Sequence, residues 1–256
     1  MKRSLFVLTA LLLLVTARAA DIGLSPPRLQ LSGRPGETIS ETVTVLTQSA
    51  GSQQIGVSVS DWLLDPEGRL VLLPPGGGDN SASAWLEPEA EGFEISGEQN
   101  RPFRISVTIP QDADLNGTYR TMVFFTVVPP PDENSGVGVV TTTQIGLAVY
   151  VTVAGTEETG SELVDFFQPD DASLTLSIAN TGNTVMRLGG TVELRDEAGE
   201  TRYRLEVPDV PVLRESDRDV TLTLPEGVEP GFYVALALAE DSRGGLLVGE
   251  LPIEVP

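Results

Sequence analysis

The chain contains neither cysteine nor histidine. Without cysteine, a fold of this size has to be held together by its core, because no disulfide can staple it. Without histidine, the commonest general base, proton shuttle and metal ligand is missing, and Ser-His-Asp and Cys-His sites are excluded. Basic residues are scarce as well: 16 lysines and arginines stand against 37 aspartates and glutamates, for a formal charge of −21. A nucleic-acid binder needs a basic stripe to displace counterions from phosphates. Here the arginines are scattered among carboxylates, which argues against nucleic acid as a partner. Outside the first 19 residues no segment carries a sustained 3.6-residue apolar stripe, and no later run is long enough to span a bilayer as a helix.

What is present begins with a targeting pattern. Lys2 and Arg3 precede an apolar run from Leu5 to Val15, and Ala17-Arg18-Ala19 supplies a small-residue cleavage site. Residues 1–19 therefore read as a signal peptide, and the protein as exported, to the periplasm or the cell envelope. Removing them leaves 13 basic and 37 acidic residues, about −24, a charge that keeps an exported protein soluble.

The rest alternates as strands do. Phe103, Ile105, Val107 and Ile109 share one face without a fault, and Ile39, Val43 and Val45 alternate with Thr and Ser. The first strand, from Asp21 to Leu31, is broken by Pro26-Pro27, which is permitted only at a sheet edge or at a switch between sheets. Strands at short, regular spacing predict an all-β chain of two Ig-like sandwiches in tandem, 20–154 and 155–256, joined by a linker at about 154–161. The second half repeats the first. Ile109-Pro110, an acidic turn, Gly117-Thr118-Tyr119 and an apolar strand are echoed by Leu224-Pro225, an acidic turn, Gly231-Phe232-Tyr233 and the strand from Val234. A tyrosine so placed packs at a corner and bonds back to backbone.

Chemistry-bearing motifs are few. Asp112-Ala113-Asp114-Leu115-Asn116-Gly117 opens like a calcium loop, yet Val123 stands where the closing bidentate glutamate belongs, so a polar turn is expected and no metal. No carboxylate pair is set apart by an apolar pocket. The chain thus reads as a non-enzyme with no cofactor and no small-molecule substrate. Trp62 and Trp85 read as core residues.

The most informative stretch runs from Leu115 to Val153. An apolar strand, Thr121 to Val128, stops at Pro129-Pro130-Pro131, and a second strand resumes at Val139 with Ile145, Leu147, Val149, Val151 and Val153 on one face. From Val139 to Val153 there is no charge and no proline, the usual protections of an exposed edge. Together with Pro27-Arg28-Leu29-Gln30-Leu31, the Trp62 strand, Ser81 to Leu86, Phe93 and Phe103 to Pro110, this order of features resembles the N-terminal domain of periplasmic pilus chaperones of the PapD type. The resemblance covers about residues 21 to 154.

That resemblance implies that the last strand of the first domain lends itself to an incomplete subunit by strand addition. It also implies that an arginine of the first strand and a lysine of the last hold the subunit's C-terminal carboxylate. Arg28 matches the arginine, and Gly146 stands where the lysine would be. The expected partner is another exported polypeptide, a fibre or pilus subunit, with Arg28, Ile145, Leu147, Val149 and Val151 as the contact residues and the apolar face of that strand at least partly open. The alternative is a structural or adhesive envelope protein whose sandwiches act as spacers and whose last strand is covered by its own fold.

Overall fold

The computed structural model describes residues 22–49, 51–97, 99–111, 114–129 and 142–256. The expected signal peptide, Asp112 and Ala113 of the calcium-like turn, Pro130 and Pro131, and the start of the last strand at Val139 lie outside them. No helix among the described residues is long and apolar enough to cross a membrane.

Ten strands build the first half: β1 (Ile22–Ser25), β2 (Arg28–Gly33), β3 (Thr38–Thr47), β4 (Ser52–Leu64), β5 (Leu70–Leu73), β6 (Leu86–Pro88), β7 (Gly92–Ser96), β8 (Asn100–Thr108), β9 (Thr118–Val128) and β10 (Gln144–Val153). They form two facing sheets, β1-β3-β8-β6 and β2-β10-β9-β4-β5, with β7 also on β4. Pro26-Pro27 marks the switch that its backbone chemistry demands: β1 pairs with β3 in one sheet, and β2 pairs with β10 in the other. Period-two alternation then fills the core. On β8, Phe103, Ile105 and Val107 are fully buried while Arg104 and Thr108 are exposed. The Phe103 ring meets Phe125 edge-on at 5.2 Å between centroids and lies tilted 5.3 Å from Phe93, a packed aromatic centre between the sheets.

Seven strands follow: β11 (Ser161–Asp170), β12 (Ser173–Asn180), β13 (Met186–Arg195), β14 (Thr201–Val212), β15 (Asp217–Thr223), β16 (Gly231–Asp241) and β17 (Leu246–Val255). Their sheets, β11-β12-β15 and β14-β13-β16-β17, close over a separate core that includes Leu174, Leu176, Ile178, Leu188 and Leu194. The Tyr233 hydroxyl donates to the Glu229 carbonyl at 2.9 Å, the corner bond expected of it; Tyr119 instead packs its ring on Trp85, centroids 4.4 Å apart. The periodic pattern misses β11 because its edge position leaves Val164 exposed, Asp165 and Pro169 interrupt it, and its register on β12 slips twice.

The two sandwiches touch through a third apolar cluster. Leu213 of the second is buried against Trp62, Met122, Phe124 and Tyr150 on the outer face of the first. Polar contacts surround it: Thr118 N–H donates to the Asn183 carbonyl at 2.9 Å, Arg214 donates to the Asn116 carbonyl at 2.8 Å, and Asp219 N–H donates to the Pro66 carbonyl at 2.7 Å. Gly117 is essential to this seam. It adopts φ +65°, and a Cβ there would lie 2.1 Å from the Asn183 carbonyl oxygen. The polar turn expected from sequence thus serves as part of the joint between sandwiches.

One charge network bears on stability. On β13, Glu193 is almost enclosed and accepts from Arg195 at 2.7 Å, from Arg204, and from the Thr201 hydroxyl at 3.1 Å. These donors, Arg195 first, lower its carboxyl from the ordinary 4.5 to about 2. A carboxyl depressed in the folded state stabilises fully above its unfolded value, and the contribution disappears as pH falls from about 4.5 towards 2. Thermal melts of Glu193→Gln are therefore expected to lie below wild type at neutral pH and to converge with it on acidification. A constant gap between the two proteins across that range would show that Glu193 acts by packing alone.

Candidate strand-addition edge and interdomain cleft

Strand β10 lies between β2 and β9 and is flanked unevenly. Along one side it pairs antiparallel with β9 from Gln144 to Thr152. Along the other it pairs parallel with β2, and only from Ala148 to Val153. Because the chain crosses to the opposite sheet at Pro26-Pro27, β1 passes close to β10 while pairing with β3, and no strand among the described residues pairs with Gln144 to Leu147 on that side.

The direction of the backbone groups follows from three bonds. Val127 N–H donates to the Thr143 carbonyl and Val153 N–H to the Gly117 carbonyl, each at 2.9 Å, whereas Ala154 N–H donates to the Gly33 carbonyl at 2.8 Å. Hydrogen-bonding direction alternates along a strand. Odd-numbered residues of β10 therefore turn their backbone groups to β9, and even-numbered residues turn theirs away. From Ala148 onward the even residues meet β2; at Gln144 and Gly146 they face an open edge.

This corrects the expected contact surface. Leu147, Val149 and Val151 are fully buried in the first sandwich's own core, and Ile145 alone of the four is partly exposed. Their apolar face supplies the cover between the two sheets and is not available to another chain. What β10 leaves open is its backbone at Gln144 and Gly146, beside the half-exposed Ile145.

The even-numbered side chains of β10 and β2 share the other face, which turns towards the second sandwich. There Arg28, Gln30, Tyr150 and Thr152 line one wall of a cleft of about 500 Å³, and Arg187, Ser242 and Arg243 line the opposite wall. Arg28 is exposed and, among the described residues, has no ion pair. Burial pushes the Tyr150 phenol up, and the nearby Arg120, Arg28 and Arg187 counteract this. Burial also lowers the Arg120 guanidinium, whose Nε donates to the Trp62 carbonyl at 2.9 Å. Trp62 itself is buried, its indole N–H donating to the Thr121 carbonyl at 3.2 Å.

Gly146 has a packing reason. A Cβ there would lie 2.6 Å from the Met122 sulfur and 3.0 Å from the Phe124 ring. Apolar side chains of β9 fill the space in which a long side chain at 146 would begin. Arginines 187 and 243 escape sequence reading altogether, being more than 150 residues from Arg28 with no shared motif. Among the described residues no group of three or more histidine, cysteine, aspartate or glutamate side chains could hold a metal ion.

No family model matches the sequence, and no curated protein matches it. Solved structures do match the fold. The crystal structure of the YadV chaperone superposes with a TM-score of 0.52 over 91% of this chain and 100% of that one, at 11% identity. The SafB chaperone of Salmonella enterica, solved in complex with SafA pilin, gives 0.51 over 93% and 97%, at 13% identity. The tandem-sandwich fold of this chain is therefore the fold of these chaperones, shared across nearly the full length of both proteins.

Proposed function

We propose that this protein is a non-enzymatic, exported chaperone for a fibre or pilus subunit, and that it binds the subunit by adding a strand to the open edge at Gln144–Leu147. The observation that carries the reading is the half-covered, charge-free strand β10, with the backbone groups of Gln144 and Gly146 directed away from β9 and uncovered by β2. Open edges of this kind are hazards that soluble proteins normally block with charge, proline or a bulge. A spacer or adhesive module has no use for one, whereas main-chain hydrogen bonds to an incoming strand are the source of affinity in strand addition. The neighbouring Arg28, exposed in the cleft, is suited to hold the partner's terminal carboxylate.

A photoreactive residue placed at Gln144 tests this reading in the native envelope. A discrete adduct with one exported polypeptide is expected, and none from the same residue at Glu206, which is exposed on the second sandwich. Equal labelling at both positions would contradict docking at the edge.

A further inference from the structure

The outer face of an antiparallel sandwich normally carries polar residues, as β8 of the first sandwich does with Arg104, Ser106 and Thr108. The β16–β17 face of the second sandwich does not. Ala235, Ala237 and Ala239 of β16 fill the core, which turns the alternate residues Phe232, Val234, Leu236 and Leu238 outward. Pairing sets Leu238 opposite Val248 and Glu240 opposite Leu246, so β17 continues the apolar strip. Phe232 is 63% exposed, Leu246 60%, Val248 53% and Val234 40%. A contiguous strip of this extent marks an interaction surface.

The two flanks of the strip carry opposite charge. On the β17 side the exposed Glu250 and Glu254 stand opposite Leu236 and Phe232. On the β13 side Arg195 stands opposite Val234, and Glu193 stands between Leu236 and Arg204 of β14. Two guanidinium groups thus surround the single Glu193 carboxylate and leave one net positive charge there. Both remain accessible, with 40% of the Arg195 side chain and 58% of the Arg204 side chain exposed.

We infer that this face joins two copies of the chain through an isologous interface whose twofold axis runs along β16. Such an axis sets Leu236 of one copy over Leu236 of the other and lays the β17 flank of each across the β13 flank of its partner. Glu250 and Glu254 then meet Arg195 and Arg204, and the apolar strips cover each other. Glu206, exposed one strand further out on β14 opposite Thr191, lies outside this overlap. A twofold axis at right angles to the strands would instead bring Glu250 over Glu250, and like charges so placed oppose docking. The charge of the mature chain, about −24, resists approach at long range, but salt at physiological strength screens it far more than it weakens close contacts. A single strip of this kind fits a dimer with a dissociation constant in the micromolar range. The inference stands apart from the strand-addition reading, since the open edge belongs to the first sandwich.

Sedimentation of the mature chain at physiological salt, over a micromolar concentration series, is the test. A reversible monomer–dimer equilibrium is expected. Phe232→Ser and Val234→Ser, both at exposed positions, should keep the wild-type melt and weaken the dimer about tenfold or more, as loss of a central contact does. Glu250→Lys should weaken it too, because the new cation faces Arg195. In this cysteine-free chain, Val234→Cys beside the axis should be joined into a dimer by a short bismaleimide, and Val164→Cys on the exposed edge strand β11 should not. A chain that stays monomeric throughout the series would overturn the inference. So would a Phe232→Ser or Glu250→Lys variant that dimerises as wild type does. Loss of the dimer in Gln144→Pro would overturn it in favour of pairing between open edges. Shielding of Val234→Cys from maleimide in the native envelope, in a chain that is monomeric when pure, would give the face to a different molecule and overturn it as well.

Discussion

Leu147→Glu is expected to unfold the first sandwich. Leu147 is fully buried between the two sheets, opposite Val123 on β9 and in one cluster with Phe103, Phe125 and Val149. A carboxylate there has no donor to pair with, so it must either stay charged in an apolar core or take up a proton, and either course destabilises heavily. The loss of packing adds to this, and a total of about 4 kcal/mol or more is expected, a large part of a domain's whole stability. Val149→Glu should behave in the same way. Circular dichroism melts of the two variants are the check: a cooperative transition close to wild type in either would mean that the face is more open than its burial indicates.

Proline substitutions separate the edge from the core by a single residue. Gln144 directs its N–H to the open side, so Gln144→Pro removes no backbone bond of the native sheet and only the exposed side-chain bond from its Nε2 to the Thr126 hydroxyl at 2.9 Å, and proline is tolerated at such edge positions. The variant is expected to keep its melting temperature and to lose its polypeptide partner. Ile145 directs its N–H to β9, opposite Phe125. Ile145→Pro removes a ladder bond and sets a proline ring in the sheet, so about 3 kcal/mol of stability should go with it. Partner capture by Gln144→Pro at the wild-type level would remove strand addition from the account.

Much of the fold was legible because a strand's periodicity is local. Phe103 to Ile109 alternate without a fault, and they fill the core as that alternation requires. Pro26-Pro27 could be read as a switch between sheets because proline lacks a donor, and the chain does cross there. The meaning of the Ile145 to Val151 face was not legible. Period two says that one side of a strand needs apolar cover but not which neighbour supplies it, and here the opposing sheet does, with Phe103 and Ile105. The open part of β10 depends instead on where β2 begins, a fact about a partner strand more than 100 residues earlier. The cleft is further from reach still, since Arg28, Arg187 and Arg243 meet only when two sandwiches pack through Leu213 and Tyr150.

Amide hydrogen exchange along β10 tests the strand-addition edge most directly. In the free protein, Gln144 and Gly146 are expected to exchange fast while Ile145 and Leu147, bonded to β9, exchange slowly. On binding the polypeptide partner, Gln144 and Gly146 should become as protected as their neighbours. Amides at 144 and 146 that are already slow in the free protein, or that stay fast in the complex, would contradict an edge that is open and then filled.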